Sequence, residues 1–238
     1  NYTDSPYAYD SGGLKISEVE EDRRQSRKNN FDYDTYEKVR HVKTGFSWKH
    51  INDNNSFIDS YFFYQKRDFN SKLPFNYGGI IFLERDYYGI GTKYSKTFVS
   101  ANKKRTVTLG IDHTNQHDDR RRFKNNLGEQ GEKTFDQIEK FKNTGVYLIN
   151  QTEYESGLLF RYGVRFDDNK IGTDSEEFIS LNKLNPSLGL SYSINDSNNV
   201  YFSAGTSFET PTLNELSNNP NGNGLNKNLD PSSSVNYE

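Results

Sequence analysis

The segment from Gly157 to Asp167, GLLFRYGVRFD, alternates so strictly that it restricts the fold more than any other feature of the chain. One set of alternate residues is Leu158, Phe160, Tyr162, Val164 and Phe166, and the other is Leu159, Arg161, Gly163, Arg165 and Asp167. Successive side chains of a strand point to opposite faces, so this segment predicts a strand with one apolar face and one charged face. Alternation does not say which of the two faces looks outward.

The same period of two recurs along the chain and predicts an all-β fold. Further examples are VKTGFSWKH, YYGIGTKYSK, TVTLGID, SLGLSYSI and NVYFSAGTSF. We expect eight complete strands, near residues 37–51, 56–68, 79–98, 104–117, 143–152, 156–168, 182–194 and 199–208, and a ninth that starts near Val235.

The predicted connections alternate between short and long. Tight turns are expected at 52–55, 100–103, 153–155 and 195–198, and longer loops at 69–78, 118–142, 169–181 and 209–234. Short turns at one end of an antiparallel meander and long loops at the other are typical of outer-membrane barrels. In a β-sandwich with Greek-key crossings, there is no physical reason for short and long connections to alternate in this way.

Composition removes several classes of protein. No run approaches the roughly 20 apolar residues of a membrane-spanning helix, whereas a transmembrane barrel needs apolar residues only at alternate positions. The chain has no cysteine, which excludes disulfides, thiolate metal sites and a cysteine nucleophile. A net charge of −3 argues against a nucleic-acid partner. The chain opens at Asn1 and contains no Met, so we expect a fragment of a longer protein.

The two sets of strand faces differ in chemistry. The polar set carries Lys43, Lys49, Lys93 and Asp112 beside many Gly and Ser residues, which suits a wide, wet lumen. The opposite set is aromatic and aliphatic, which suits lipid tails. We therefore predict that Leu158 to Phe166 face lipid. The alternative is a soluble β-sandwich or propeller in which these residues face inward.

The stretch YFSAGTSFETPTLNEL, Tyr201 to Leu216, resembles the late-barrel signature of TonB-dependent outer-membrane receptors of the siderophore and iron type. The matching positions are Phe208, Pro211, Thr212, Leu213, Asn214, Glu215 and Leu216. LNKLNPSLGLSY and the hairpin ending in GVRFDD resemble neighbouring segments of that family in the same order. NLDPSSSVNYE resembles a further one, although Ser232 replaces the usual Glu.

The resemblance implies an antiparallel up-and-down transmembrane β-barrel of roughly 22 strands with a plugged lumen. Residues 1–238 then form the mid-to-late part of the barrel domain, and the plug and the closing strands lie outside the chain. About eight or nine strands of the larger barrel are present, so we expect an open curved sheet. The implied location is the bacterial outer membrane.

The resemblance also implies TonB-energised uptake of a ferric siderophore or similar iron chelate, with other importers (of glycan, cobalamin or haem) and a soluble secreted β-sandwich binding module as alternatives. The implied partners are outer-membrane lipid, the iron chelate or another small ligand, and TonB through a missing N-terminal region. We expect no cofactor and no enzymatic activity, since no Ser, His and Asp constellation has motif support.

Candidate ligand-binding residues fall in one charged loop and on the lumen face. The loop residues are His117, Asp118, Arg120, Arg121 and Arg122, and the lumen residues are Arg161 and Arg165. Arg side chains can hold an anionic chelate through charge-assisted hydrogen bonds. The alternatives are a solvated loop with internal ion pairs and, for the lumen residues, packing against the plug. We read Phe208, Pro211, Leu213, Asn214 and Glu215 as structural. His113 and His117 share a strand face, but no third ligand is evident, so no metal site is predicted.

Overall fold

The computed structural model describes residues 1–52, 54–217, 219–220 and 224–238. They form one ten-stranded antiparallel sheet in which each strand pairs with the next along the chain. The strands are β1 (Tyr2–Tyr9), β2 (Tyr36–Asn52), β3 (Ser56–Lys72), β4 (Ile80–Ser100), β5 (Lys103–Asn126), β6 (Glu129–Tyr154), β7 (Leu158–Thr173), β8 (Ile179–Asn195), β9 (Asn198–Glu209) and β10 (Ser232–Tyr237). Three short helices lie between strands: α1 (Ile16–Asp22) and α2 (Lys28–Asp32) before β2, and α3 (Leu213–Leu216) before β10.

The predicted all-β, up-and-down antiparallel architecture is confirmed, and the sheet is open because β1 and β10 are its two edges. The strand count differs from the prediction, since β1 precedes the first strand that we expected. Its sequence, YTDSPYAY, lacks clean alternation and contains Pro6. The pairing with β2 shifts register between Ser5 and Ala8, which places the proline at an irregularity of an edge strand.

Short connections join β2 to β3, β4 to β5, β6 to β7, and β8 to β9, where the four tight turns were predicted. Asp53 of the first predicted turn lies outside the described residues. The predicted long loop at 118–142 is wrong. Strand β5 continues to Asn126 and β6 begins at Glu129, so a two-residue turn joins two long strands. Leu127 and Gly128 both have positive φ angles, 51° and 93°, as a type I′ hairpin turn requires.

The part of the β5–β6 hairpin over residues 118–142 is a strand pair although both of its faces are largely polar, because cross-strand ion pairs replace apolar alternation there. Arg120 pairs with Glu139 at 3.0 Å, and Lys124 pairs with Glu132 at 2.7 Å. Asn125, which is buried, donates to the carbonyls of Tyr33 and Leu73. The hairpin is thus tied to the two connections beside it.

One face of the sheet, which we call the apolar face, has no second layer over it in the described part of the chain. Trp48, Ile111, Val146, Phe166 and Leu184 belong to it and remain exposed, with Phe166 at 43%. Ile111 pairs with Val146, and Val146 with Phe166. A sandwich would seal these side chains between two sheets, so the sandwich alternative is wrong.

The opposite, polar face carries a small apolar core near the end of the sheet where the longer connections lie. Leu213, Leu216 and Leu225 from the β9–β10 connection pack against Ile171 of β7, with Phe141 beside them. The connection therefore folds back over the polar face. None of the helices in the described ranges is long and apolar enough to cross a membrane.

Candidate ligand-binding wall

The polar face holds a hydrogen-bonded network that crosses five strands. Arg165 donates to Asp112 at 2.8 Å and to Asp167 at 2.8 Å, so one guanidinium bridges two carboxylates. Tyr61 donates to the same Asp112 at 3.0 Å, and Arg165 lies 5.6 Å from the centre of the Tyr147 ring. Such charge-assisted bonds are the stronger class of hydrogen bond. The network fixes Arg165 rather than leaving it free for a ligand.

Glycines create the space in which these side chains lie flat against the sheet. Tyr61 pairs with Gly91, and Gly91 with Asp112, so the bond from Tyr61 to Asp112 passes over a residue without a side chain. A Cβ at Gly91 would lie 2.4 Å from both Tyr61 and Asp112. Gly145 has the same relation to Arg165, whose Nη2 would be 1.9 Å from an added Cβ. The Gly-rich polar alternation seen in the sequence is therefore a condition for the network.

A cleft of about 380 Å³ opens over the network. Asp112, Tyr147, Arg165, Asn185 and Ser187 contribute to its lining. Its walls offer an acid, a cation, a phenol, an amide and a hydroxyl within one concave space, which is the mixture that recognises a polar ligand.

A second charged group lies nearer the long connections, again on the polar face. Arg85 donates to both oxygens of Asp118, at 2.8 and 2.6 Å, and Arg120 donates to Glu139 at 3.0 Å. Asp118 and Glu139 are fully buried, at 0% exposure. Buried charges are stable only when paired and hydrogen-bonded. Asp118 and Arg120 were predicted as loop residues. Both are instead buried in strand β5, where Asp118 pairs with Arg85 and Arg120 pairs with Glu139.

The β9–β10 connection covers this charged group. Arg120 also donates to Asn214 at 3.0 Å. This hydrogen bond anchors α3 to the polar face of the sheet, which we call the wall. Thr212 and Glu215 form a capping box at the start of α3: the Thr212 hydroxyl accepts from the Glu215 backbone at 3.2 Å, and Glu215 accepts from the Thr212 backbone at 2.8 Å. The backbone and then the side chain of Thr212 lower the pKa of the Glu215 carboxyl.

The spacing of residues in PTLNEL is explained by this packing. Leu213 and Leu216 point into the small core, while Asn214 reaches Arg120. Pro211 helps to line a cleft of about 400 Å³ between the connection and the wall, with Arg85, Gln116 and Phe141 opposite it. Phe208 is partly buried in β9, where it pairs with Ser233.

Two of the predicted arginines on the polar face have no ion-pair partner in the described part of the chain. Arg161 is exposed in the same strand as Arg165. Arg122 is partly buried near Phe135, with its guanidinium 5.9 Å from the ring centre, and its Nε has no hydrogen-bond acceptor. Other cations of the polar face without an acidic partner among the described residues are Lys43, Lys49, Arg67 and Lys183.

His117 and Arg121 lie on the other side of the sheet. His117 pairs with Lys140, and Arg121 contacts Glu84 at 2.7 Å and Asp119 at 3.1 Å. His113 also lies on that side, hydrogen-bonded to Thr144. His117 and Arg121 were predicted as binding residues of a charged loop, and the facing of a residue in a loop is not defined by its position in the sequence. The described residues include no cluster of three or more His, Cys, Asp or Glu side chains that could hold a metal ion.

The chain matches the family described as TonB dependent receptor-like, beta-barrel, over residues 1–238. It therefore belongs to the β-barrel family of TonB-dependent receptors, as the sequence resemblance predicted. Receptors of this family are transporters and not enzymes, and membership places the chain in a bacterial outer membrane. The apolar face is then the lipid-facing surface, and the polar face lines the lumen.

Solved structures agree with the fold. The chain is similar to the ferric citrate transporter FecA in its unliganded form, with a TM-score of 0.75, 21% identity, and coverage of 87% of this chain and 32% of that one. It is also similar to the alcaligin outer-membrane receptor FauA of Bordetella pertussis, with a TM-score of 0.67, 21% identity, and coverage of 85% and 33%. A third similar structure is FpvA of P. aeruginosa, with a TM-score of 0.67, 15% identity, and coverage of 85% of this chain and 30% of that one. The chain thus spans about a third of the length of these receptors.

Proposed function

We propose that this chain is the mid-to-late barrel wall of a receptor that imports a ferric siderophore or similar iron chelate, with energy supplied through TonB. The observation that carries the proposal is the excess of unpaired cations on the polar face. The acids at its buried centre are already engaged by Arg85, Arg120 and Arg165. Arg161 and Arg122 therefore remain available to an anion.

The structural neighbours support the choice of ligand class. They are named as a transporter of ferric citrate, a receptor for alcaligin and a receptor seen with iron-bound pyoverdines. Ferric citrate is an anionic chelate, and guanidinium groups recognise carboxylates with two parallel hydrogen bonds.

Within this proposal the predicted arginines have different roles. Arg161 and Arg122 contact the chelate, because each is on the polar face without an acidic partner among the described residues. Arg165, Arg120 and Asp118 hold the shape of the wall through their ion pairs. His117 and Arg121 lie on the opposite side, so the proposal does not include them. Contact with TonB is assigned to parts of the receptor outside these residues.

The test is growth of a deletion strain under iron limitation, with ferric chelates supplied one at a time. The proposal predicts loss of growth on at least one chelate and recovery when the full-length receptor is restored. Normal growth of the deletion strain on every chelate would discard the iron assignment. A defect confined to cobalamin, haem or a glycan would replace it with that ligand class.

Matched variants then test the wall. Arg161→Gln and Arg122→Gln should each weaken binding of the identified chelate to the full-length receptor about tenfold, because each removes a hydrogen bond from a charged donor. Arg121→Gln is the control, since Arg121 belongs to the same sequence cluster but lies on the other side of the sheet. Equal affinities for all three variants would show that the wall cations do not contact the chelate.

A further inference from the structure

One buried amide side chain joins three connections at the end of the sheet where the longer connections lie. Asn125, near the end of β5, is fully buried. Its Nδ2 donates to the Tyr33 carbonyl at 3.0 Å and to the Leu73 carbonyl at 3.1 Å, and its Oδ1 accepts from the Gly128 backbone at 2.8 Å. An amide side chain has two donor hydrogens and an acceptor oxygen, so Asn125 uses each kind of group. Its three partners lie in the β1–β2 connection, the β3–β4 connection and the β5–β6 turn.

The backbone of Asn125 also holds the β3–β4 connection. Its N–H donates to the Asn76 carbonyl at 2.7 Å, and the Asn76 side chain donates back to the Asn125 carbonyl at 3.1 Å. Gly79 packs closely here, since an added Cβ would lie 3.1 Å from the Asn125 Cβ. Lys72 at the end of β3 donates to Asp34 at 2.7 Å, which links this connection to the first one directly. We call these three segments, residues 10–35, 73–79 and 127–128, the joined connections.

Arg122, which we propose to contact the chelate, lies three residues before Asn125 and packs against one of the joined connections. The Arg122 Nε and the Thr134 hydroxyl are both buried without a hydrogen-bond partner in the described part of the chain. A Cβ added at Gly78 would lie 3.7 Å from the Arg122 Cδ and 3.7 Å from the Thr134 hydroxyl. The Phe135 ring centre is 5.9 Å from the guanidinium. The direction of the Arg122 side chain therefore depends on its packing against Gly78 and Phe135.

Strand pairing is irregular between Arg122 and Asn125, so the ladder alone does not fix this part of β5. Arg122 pairs with Phe135, whereas Asn125 pairs with Gln130, so three steps along β5 correspond to five along β6. Such an irregularity disrupts the ladder locally and changes the direction of the strand. The hydrogen bonds of Asn125 fix the backbone on the far side of the irregularity. They also fix the β3–β4 connection, which carries Gly78.

We propose that Asn125 is a positioning residue: its side chain holds the joined connections as one unit and thereby keeps Arg122 directed into the lumen. The part that concerns Arg122 rests on the proposed function, whereas the joining of the connections does not. A group that contacts a ligand needs neighbours that lock its geometry. Asn125 is fully buried, so it acts on a ligand only through Arg122.

Hydrogen exchange of the purified full-length receptor in detergent, without any chelate, tests the joining of the connections. The Thr35 N–H donates to the Asn30 carbonyl and the Leu73 N–H donates to the Gly79 carbonyl, so amides in both segments report local opening. Asn125→Ala should speed exchange about tenfold over both 31–35 and 73–79, because each segment loses a hydrogen bond to a buried side chain. Unchanged exchange in either segment would overturn the proposal.

Two variants and one reference segment serve as controls for the exchange measurement. Asn125→Asp keeps an oxygen for the Gly128 N–H but removes the amide donors, so exchange should rise over 31–35 and 73–79 and stay slow over 126–129. Gln130→Ala removes an exposed amide directly opposite Asn125 and should change neither segment. Exchange over 210–217 should stay constant in all three variants, which distinguishes release of the connections from general unfolding.

A double-mutant cycle tests the link to Arg122, with the ferric chelate on which the deletion strain fails to grow as the probe. Asn125→Ala should weaken its binding about threefold in the unaltered receptor and cause no further loss in the presence of Arg122→Gln. An equal loss in both backgrounds would overturn the link. If Arg122→Gln alone leaves binding unchanged, the proposed contact of Arg122 with the chelate fails, and the exchange result still decides whether Asn125 joins the connections.

Discussion

Arg120 and Asn214 are 94 residues apart in sequence, and the Arg120 guanidinium donates to the Asn214 side chain at 3.0 Å. The same guanidinium holds the buried carboxylate of Glu139. One arginine thus joins the wall of the barrel to the connection that folds over it. The ion pair is covered by that connection, and the connection is held by the ion pair.

Arg120→Ala should destabilise the receptor by about 3–5 kcal/mol, because it leaves the Glu139 carboxylate buried without its partner. The measurement is the midpoint of urea-induced unfolding of the full-length receptor in detergent. Arg120→Ala/Glu139→Gln should recover a large part of the loss, since an amide costs less to bury than a carboxylate. If the double variant lost the sum of the stabilities lost in the two single variants, the result would contradict the pairing of Arg120 with Glu139.

Asn214→Ala should leave the wall intact and loosen only the connection. We expect faster proteolysis between residues 210 and 231 with little change in the unfolding midpoint, because the variant removes one hydrogen bond at the rim of a buried pair. Asn228→Ala is the control, as its side chain is exposed at the far side of the same connection. Equal cleavage rates for the two variants would contradict the anchor.

Gly110→Ala should destabilise the barrel by about 1–3 kcal/mol, because its added Cβ would lie 2.2 Å from the Tyr147 ring. Gly189→Ala is the matched control, since the added Cβ would meet only the Arg161 Cβ at 4.0 Å. Heat unfolding followed by gel mobility compares the two. Equal losses would show that glycine acts through the backbone and not through the space it leaves.

The sequence predicted the sheet because alternation and sorted connections are local signals. Leu158 to Phe166 shows this, since Tyr162, Val164 and Phe166 share one face and remain exposed. The stretch 118–142 was missed because ion pairs such as that of Arg120 with Glu139 stabilise it, and partners 19 residues apart leave no periodic pattern. The facing of His117 and Arg121 depended on that same extension of β5.

The hydrogen-bonded network around Arg165 could not be predicted from the sequence either. Arg165 was predicted to point into the lumen, but its two carboxylate partners come from different strands, one of them 53 residues away. The glycines that admit this geometry are visible in the sequence. Their effect depends on which side chain lies opposite, and only register supplies that information.

The capping box of α3 should depend on pH. Thr212 lowers the pKa of Glu215 below its ordinary value of 4.5, so the stabilisation is present above pH 4.5 and is lost as pH falls through the lowered pKa. A spin label on a cysteine introduced at Asn228 should therefore become more mobile in acid. Glu215→Gln should remove that component of the change, because the amide does not titrate. An unchanged acid response in the variant would assign the transition to another group.

The orientation of the two faces is the central claim, and single-cysteine labelling tests it most directly because the chain contains no cysteine of its own. Bimane is attached at Leu188 and, separately, at Gly189 in full-length receptor that is otherwise free of cysteine and reconstituted in bilayers. We predict that spin-labelled lipid quenches the probe at Leu188 and that aqueous iodide quenches the probe at Gly189. Quenching by lipid at Gly189 and by iodide at Leu188 would contradict the account.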